Sequence, residues 1–460
     1  RVLAFMKELD EELWKFGIPA KTKHNEVAPS QHELAVVYTT ANLAADNNQL
    51  TMEVMKRTAE KHGLVCLLHE KPYEGINGSG KHNNWSLSTN TGVNLLDPDR
   101  EPAKNLQFML FLAATMKAVD VYGDLLRVSV ATAGNDHRLG GNEAPPAIVS
   151  MFIGDDLASV LDIIEADAES EAKETVTMTA GPKVLPHFVK DTTDRNRTSP
   201  FAFTGNKFEF RMPGSSLSVS GPNVILNTAV ADSLGAFADR LEKVPAGKLE
   251  EEIHTLLKEV IRAHRRIVFN GNGYTEDWVK EAGRRGLFNL PACADAFPCF
   301  IAEKNIALFT KHHVFTREEI FSRYEIMQEN YVKTINIEAK TMCSMMYKTF
   351  LPSLLSYIET IAEATEKTKK VLPSAPVISQ EKLLSTLARL YTSISEMTEE
   401  LKSAVAGADS IGDSMEKVRY FNYTVLAKMN GLRSFVDEAE ALIPESFLTY
   451  PTYDKLLFSI

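Results

Sequence analysis

A short run of alternating charged and aromatic residues guides the interpretation of the fold: Gly205-Asn206-Lys207-Phe208-Glu209-Phe210-Arg211-Met212-Pro213. The alternation predicts a strand that carries its three charged side chains on one face and packs Phe208 and Phe210 on the other. On an exposed edge, this is an ordinary amphipathic strand. In a cleft, two cations that flank a carboxylate are what a metal-bound, transferring phosphoryl group requires.

The chain around this strand changes character near Phe269 to Phe315, where glycines and prolines supply turns. Before this stretch, short alternating segments are mixed with helices, whereas Thr316 to Glu440 is almost wholly helical in pattern. We therefore predict the α+β class, with one domain over residues 1–315 and a C-terminal α-helical bundle over residues 316–460. The bundle shows spacings typical of helices that pack side by side, and we assign no chemistry to it.

Individual elements follow from local signals. A helix is predicted from Ala41 to His62, because Gly63 is a typical C-terminal cap. A buried strand is predicted from Leu64 to Glu70. In the C-terminal region, a break in the helix is expected at Pro352.

Composition excludes some classes of function. The chain has 460 residues, of which 44% are hydrophobic and 24% charged, so a large buried core is available. Its 50 basic and 61 acidic residues give a net charge of −11, whereas binding to a phosphate backbone requires a basic surface. We expect no nucleic-acid partner.

Cysteine spacing and hydropathy bear on location. The four cysteines form no CxxC pair, so a reducing cytoplasm fits best. The apolar window from Phe108 to Met116 is followed by Lys117 and is much shorter than the ~20 residues that span a bilayer. We expect no membrane segment. Because Arg1 to Phe16 already reads as an amphipathic helix, we also expect an upstream part to be missing.

Three further segments carry candidate chemistry, and the first runs from His24 to Ala35. Pro29-Ser30 predicts a turn between two extended pieces, which brings the carboxylates of Glu26 and Glu33 together. Converging carboxylates repel unless a proton or a cation intervenes, and hard oxygen ligands suit Mg²⁺ or Mn²⁺. Taken alone, the segment is better explained by two solvated glutamates on a surface hairpin.

The second segment, Asn77 to Ser88, is a glycine-rich turn that runs into a period-two strand. His82, Asn84 and Ser86 share one face of that strand. A row of imidazole, amide and hydroxyl groups needs polar partners, which a metal-bound nucleotide supplies. A hairpin with a polar outer face explains the pattern almost as well.

The third segment, Asp136 to Pro146, is predicted to be a loop because Gly-Gly and Pro-Pro resist regular structure. Arg138 is suited to hold a carboxylate bidentately, and Glu143 to accept a proton. A surface salt bridge between them is the simpler explanation in isolation. Together, however, the four segments supply metal ligands, phosphate-binding cations and a candidate base, so Mg-ATP phosphoryl chemistry is the best physical interpretation.

These four segments, in this order, resemble the catalytic signatures of the glutamine synthetase family. EVAPSQHE at Glu26 to Glu33 is similar to the family's Glu-x-x-x-x-Gln-x-Glu metal segment, and NGSGKHNNWS at Asn77 to Ser86 to its Asn-Gly-x-Gly-x-His loop. RLGGNEAPP and KFEFRMP complete the series, and NRTSPFAFTGNKFEFR with the helical tail resembles the long type III class. The resemblance implies a curved, mainly antiparallel sheet with flanking helices.

The resemblance also implies a ligand set with two or more Mg²⁺ or Mn²⁺ ions per site and ATP as co-substrate. Glu26 and Glu33 match the ligands of one ion, and His82 and Glu209 those of the second. The positions that match those holding substrate glutamate are Asn77, Gly78, Arg138 and Arg211.

The remaining matches concern the nucleotide and ammonia. Asn84 and Ser86 match positions near the nucleotide, while Arg197 and Lys207 match cations that steady the phosphates. Glu143 matches the carboxylate that binds and deprotonates ammonium, although it follows Arg138 one residue sooner than in the usual family pattern. Family active sites lie between subunits, so a large homo-oligomeric ring is implied.

The implied reaction is ATP-dependent ligation of ammonia to L-glutamate through a γ-glutamyl phosphate. Two alternatives stay open at this point. One is a related γ-glutamyl-amine ligase that uses a polyamine, and the other is a catalytically incomplete subunit whose helical tail serves assembly.

Overall fold

The computed structural model describes residues 1–73, 75–78, 80–166, 177–178, 188–189 and 198–458. The chain forms two compact units, Arg1–Phe321 and Ser322–Ile460. The domain boundary predicted after residue 315 stays a prediction. None of the helices in the described ranges is both long and apolar enough to cross a lipid bilayer.

Eight short strands lie within the described part of the first unit. They are β1 (Ala20–Asn25), β2 (His32–Val36), β3 (Asn83–Trp85), β4 (Met151–Phe152), β5 (Thr177–Met178), β6 (Phe188–Val189), β7 (Phe201–Phe203) and β8 (Phe208–Phe210). β1 pairs with β2 and β5 with β6, and the other four form a sheet in the order β3-β8-β7-β4.

The four-stranded sheet is mainly antiparallel, because β8 runs antiparallel to both β3 and β7 while only the β4–β7 pair is parallel. The tight connection between β7 and β8 sets the register. The amide of Thr204 donates to the carbonyl of Lys207 at 2.8 Å, and Gly205 has a φ of 90°. Glycine tolerates this left-handed conformation without steric cost. The α+β prediction is confirmed.

Aromatic packing holds β7 and β8 together. The rings of Phe201 and Phe208 are stacked with their centroids 4.7 Å apart, and Phe203 meets Phe208 edge-on at 5.2 Å. The charged face of β8 is buried as well, since Glu209 is only 9% and Arg211 only 4% exposed. β8 is therefore an inner strand and not the exposed amphipathic edge.

The β1–β2 hairpin packs on two helices of the first unit. Leu34 and Val36 lie against a core that includes Leu9, Leu13 and Val54. Ser30 adopts a φ of 54° in the turn between the strands. The predicted turn between two extended pieces is therefore present.

Eleven helices lie in the described part of the first unit before its last residues. They are α1 (Val2–Lys15), α2 (Ala41–Lys61), α3 (Leu106–Val121), α4 (Gly123–Val128), α5 (Ala133–Asp136), α6 (Gly154–Ala166), α7 (Ser220–Leu241), α8 (Leu249–His264), α9 (Glu276–Arg284), α10 (Cys293–Phe300) and α11 (Glu303–Lys311). Short 3₁₀ turns occupy Pro102–Lys104, Ala246–Lys248 and Arg265–Ile267.

The apolar window noted in the sequence forms α3, a buried core helix that packs against α7 and α8. Asn105 begins this helix, because its side chain accepts a hydrogen bond from the amide of Phe108 at 3.0 Å. Such a cap satisfies one of the free amides at a helix start. The ring of Phe108 then reaches Phe203 of β7, with 5.9 Å between centroids.

The C-terminal region is helical, as predicted. Its helices are α12 (Arg317–Met345), α13 (Leu351–Val371), α14 (Ile378–Gly407), α15 (Ser414–Tyr420), α16 (Leu426–Glu440) and α17 (Tyr453–Phe458), with π-helical turns at Met346–Phe350 and Phe421–Val425 and 3₁₀ turns at Ala408–Ser410 and Glu445–Phe447.

Within the second unit, α14 packs against both α13 and α16. Leu387, Leu390, Ile394 and Leu401 follow one face of α14 and are completely buried. The break expected at Pro352 is wrong, because the chain stays helical from Arg317 to Val371 and only changes to a π-helical turn over Met346–Phe350, just before Pro352 in the first turn of α13. Proline lacks an amide hydrogen and is tolerated there.

The predicted strand over Leu64 to Glu70 is wrong. Leu64 to His69 form neither helix nor strand, and Val65 and Leu67 are 82% and 70% exposed. A run of apolar residues forms a strand only where another backbone is available to pair with it. Within the described ranges, this segment has no such neighbouring strand.

A matched pair of leucines tests the packing of the second unit. Leu354 and Leu355 are neighbours on α13, with exposures of 0% and 51%. We expect Leu354→Ala to lower the free energy of unfolding by about 2–5 kcal/mol, because it leaves a cavity. Leu355→Ala should change it by less than about 1 kcal/mol. Urea unfolding measures both values, and equal losses would contradict the packing described.

Candidate active site

The centre of the site is the buried carboxylate of Glu209 on β8. Asn84 of β3 pairs with Glu209, and His82 lies two residues before Asn84 on the same face. The imidazole of His82 therefore lies beside Glu209, with 3.1 Å between His82 Nδ1 and Glu209 Oε1. Arg211 donates to Glu209 Oε2 through Nε at 2.8 Å, and its Nη2 lies 2.7 Å from the same oxygen. The structure thus brings together three residues that the sequence analysis singled out.

The electrostatics at Glu209 favour a permanent negative charge. Burial raises the pKa of this carboxyl, but the hydrogen bond and charge of His82 and the interactions with Arg211 outweigh burial and hold the pKa at about 2. Glu209 is therefore ionised at neutral pH. An ionised carboxylate beside an imidazole is a suitable pair of ligands for a divalent cation.

A second cluster lies on the β1–β2 hairpin. His24 Nε2 is 2.9 Å from Glu26 Oε1 and 3.1 Å from Glu33 Oε2, and the three ligand atoms lie within 4.8 Å of one another. The predicted convergence of Glu26 and Glu33 is present. The sequence analysis missed His24, although the antiparallel register that places it opposite Glu33 follows from the predicted hairpin.

The hairpin cluster has the properties of a cation site. Burial raises the pKa of Glu33, and a hydrogen bond with Glu26 raises it further, because two neighbouring carboxylates resist double ionisation. The charge of His82 acts on Glu33 in the opposite direction, so the two clusters lie within electrostatic reach of each other. Two carboxylates and an imidazole form a donor set that fits a divalent ion.

Arg138 is buried just beyond the end of β8 and is only 4% exposed. Its Nη2 donates to the carbonyl of Arg211 at 2.9 Å, and its Nη1 donates to the carbonyl of Met212 at 3.1 Å and to Asn135 Oδ1 at 3.3 Å. Burial lowers the pKa of Arg138 to about 10, and the charge of Glu70 acts in the opposite direction. Arg138 therefore does not form the surface salt bridge that was the simpler explanation.

The guanidinium of Arg138 retains hydrogen-bonding capacity. Its Nε is buried and has no hydrogen-bond partner among the described residues. A guanidinium offers five N–H donors, and a buried one without an acceptor is costly. A carboxylate ligand is the group that best satisfies such a donor.

The glycine-rich turn packs directly onto Arg138. A Cβ atom at Gly78 would lie 3.6 Å from Arg138 Cγ, and one at Gly80 would lie 2.1 Å from Arg138 Nη2. The amide of Gly78 donates to the carbonyl of Asn142 at 3.4 Å. Gly78 thus lies beside Arg138, and the half-buried Asn77 directly precedes Gly78 in the chain. Their common role stays a prediction.

Glu143 lies in the loop that follows Arg138 and has a φ of 68°. Tyr274 hydrogen-bonds with the backbone of Glu143, and the positive charges of Arg138 and Arg211 act on its hydroxyl group. Burial raises the pKa of Tyr274, and the charge of Glu143 raises it further. The sequence analysis missed Tyr274, which follows Asn270-Gly271-Asn272-Gly273, a segment interpreted only as a turn.

The predicted nucleotide-binding residues lie on the exposed face of β3 and just beyond it. Ser86 Oγ is 2.8 Å from Asn94 Oδ1 and 3.0 Å from the carbonyl of Asn206. Lys207 Nζ lies 3.5 Å from Asn206 Oδ1, so the β7–β8 turn brings Lys207 near Ser86. Asn84, which is two residues before Ser86, is also exposed. Arg197 lies outside the described residues.

Comparison with known proteins places these residues in a family. A model of the glutamine synthetase catalytic domain matches residues 1–139, and a model of the glutamine synthetase C-terminal domain matches residues 252–369. The cryo-EM structure of Plasmodium falciparum glutamine synthetase is 17% identical and covers 71% of this chain and 58% of its own, with a TM-score of 0.44.

Two curated relatives align along the whole chain. A glutamine synthetase of Butyrivibrio fibrisolvens is 50% identical over 462 residues, which cover 100% of this chain and 65% of the relative. The type-3 glutamine synthetase of Dictyostelium discoideum is 41% identical over 463 residues, which cover 100% of this chain and 63% of the relative. The chain thus spans a little under two thirds of the length of these relatives. On this similarity and the two family models, the chain belongs to the glutamine synthetase family.

Proposed function

We propose that this chain carries catalytic residues of an ATP-dependent glutamate–ammonia ligase. The observation that carries the proposal is the buried, ionised Glu209 between His82 and Arg211. One edge of this carboxylate faces a metal-binding imidazole and the other a guanidinium suited to an anionic substrate. The 50% identity to a protein named glutamine synthetase supports the same activity.

We propose two cation sites. Glu26 and Glu33, joined by His24, would hold one ion, while His82 and Glu209 would hold the second. Bound divalent ions would offset the negative charge of the ATP phosphates during transfer. Hard carboxylate oxygens favour Mg²⁺, with Mn²⁺ as the alternative.

The glutamate substrate is assigned to the buried cations of the site, Arg138 and Arg211. Arg138 and Arg211 would bind its carboxylate groups, because paired N–H donors of a guanidinium match the two oxygens of a carboxylate. Asn77 and Gly78 line the same place. Orienting the side-chain carboxylate for phosphorylation, to give γ-glutamyl phosphate, is mainly a matter of fixed geometry.

Ammonia is assigned to the neighbourhood of Glu143. Its carboxylate would attract ammonium and accept a proton as the amine attacks the γ-glutamyl phosphate. Tyr274 holds the backbone of Glu143 by a hydrogen bond and so orients this loop. Lys207 and Arg197 would steady the phosphates, and Asn84 and Ser86 would contact the nucleotide.

Assembly and location complete the proposal. We propose a homo-oligomeric ring in which neighbouring subunits complete each active site. We also propose a cytoplasmic location, which the free thiols of Cys66, Cys293, Cys299 and Cys343 support.

Removal of the central carboxylate tests the catalytic assignment. Glu209→Ala, in the protein expressed from its complete natural reading frame, should lower glutamate-dependent ADP release at least about a hundredfold, because a preorganised charge is lost. Glu250→Ala, at an exposed residue of α8, is the control and should retain activity. Size-exclusion chromatography should show unchanged assembly. Near-normal turnover of Glu209→Ala would refute the assignment.

A metal titration tests the role of His24. His24→Ala should weaken binding of Mn²⁺, measured by calorimetry without substrates, at least about tenfold, since a direct ligand should matter no less than an outer-shell partner. His254→Ala, at an exposed position on α8, is the matched control. If both variants bind Mn²⁺ like the parent protein, His24 is not a ligand.

Amine choice separates two ligase activities. We expect ADP release that requires glutamate and ammonium together, because Glu143 offers one carboxylate to a small cation. ADP and glutamine are measured with ammonium or with a polyamine as the only amine. Turnover with the polyamine alone would contradict the proposal and favour a γ-glutamyl-amine ligase.

A further inference from the structure

Glu70 is a buried carboxylate that the sequence analysis left without a role. Its exposure is 3%, although it ends an apolar segment whose alternate residues face outward. Ser216 holds it, with 2.7 Å between Ser216 Oγ and Glu70 Oε1. A fully buried acidic side chain is rare unless a nearby positive charge offsets it.

Two glycines leave the space that the carboxylate of Glu70 occupies. A Cβ atom at Gly134 would lie 2.7 Å from Glu70 Oε2, and one at Gly214 would lie 2.4 Å from Glu70 Oε1. Real Cβ atoms are not found so close to a carboxylate oxygen, so any side chain at either position would displace Glu70. The fold thus provides a fitted recess for this carboxylate.

The recess is part of the framework that holds Arg138. Gly134 immediately precedes Asn135, which accepts a hydrogen bond from Arg138 and donates to the carbonyl of Met212 at 2.8 Å. Gly214 lies two residues after Met212 in the chain. Glu70 and Arg138 are therefore fixed by the same two backbone segments.

Glu70 is also the main negative charge that acts on Arg138. A buried guanidinium loses much of its hydration, and carbonyl dipoles replace only part of it. A full negative charge nearby favours the charged form and one orientation of the side chain. Because Glu70 is held by Ser216, it supplies this charge while Arg138 Nε is left without a partner among the described residues.

We propose that Glu70 is a positioning residue, which holds the Arg138 guanidinium in place to bind the carboxylate of an amino-acid substrate. The proposal rests on the function proposed above, in which Arg138 binds glutamate. It assigns Glu70 no direct contact with substrate. Loss of the Glu70 charge should therefore weaken the binding of glutamate and leave the binding of ATP unchanged.

The test is Glu70→Gln in the protein expressed from its complete natural reading frame. Glutamine keeps the shape and the acceptor for Ser216 but removes the charge. The KM for glutamate should rise about tenfold or more, while the KM for ATP and kcat change less than about threefold. Glu60→Gln, at an exposed residue of α2, is the control and should change none of these values. Equal increases in both KM values would mean a general structural role and would overturn the proposal.

A second measurement does not depend on the reaction. Urea unfolding of Glu70→Gln, Arg138→Gln and the double variant forms a double-mutant cycle. The double variant should lose less stability than the sum of the single losses, and strict additivity would count against the proposal. Coupling without any glutamate-dependent turnover of the parent protein would support the positioning of Arg138 and overturn the proposed substrate instead.

If Glu70→Gln does not fold, the variant Ser216→Ala tests the same proposal. It keeps the charge of Glu70 but releases the carboxylate from its hydrogen bond. A rise in the KM for glutamate of about threefold, with the KM for ATP unchanged, supports the proposal. Unchanged KM values for both substrates overturn it.

Discussion

The ion pair of Glu209 with Arg211, together with the contact between Glu209 and the imidazole of His82, is the interaction around which the site is arranged. A buried ion pair contributes little net stability, because desolvation offsets most of the attraction. Loss of one partner, however, leaves an uncompensated buried charge, which is strongly destabilising. The pairing of β3 with β8 produces this arrangement, since it places His82, the residue just before β3, next to Glu209.

The same strand organises the substrate side of the site through its backbone. The carbonyls of Arg211 and Met212 accept hydrogen bonds from Arg138, so the end of β8 fixes a second buried cation. Glycines at positions 78 and 80 allow the preceding turn to approach Arg138 closely. Side chains at these positions would separate the turn from the guanidinium, and the residues that line the site would move apart.

Chemistry and packing are divided between different parts of the chain. In the first unit, polar side chains of short strands and turns converge, and aromatic rings such as Phe201 and Phe208 fix the strands that carry them. In the second unit, helices pack through apolar stripes such as the one on α14. Among the described residues, the three-residue cluster suited to a metal lies on the β1–β2 hairpin of the first unit.

By itself, the sequence determined the α+β class, the helical C-terminal region, the hairpin at Pro29-Ser30 and the alternation on β8, because periodicity and turn residues are local properties. Its order of motifs also led to the family. The position of His24 opposite Glu33 also follows from that hairpin, although it was missed. Only the tertiary structure decided that Glu209 and Arg211 are buried, and that Glu70 and Tyr274 lie near Arg138 and Glu143. The strand predicted at Leu64 to Glu70 was wrong for the same reason, because pairing and burial depend on residues distant in the chain, which a local pattern does not contain.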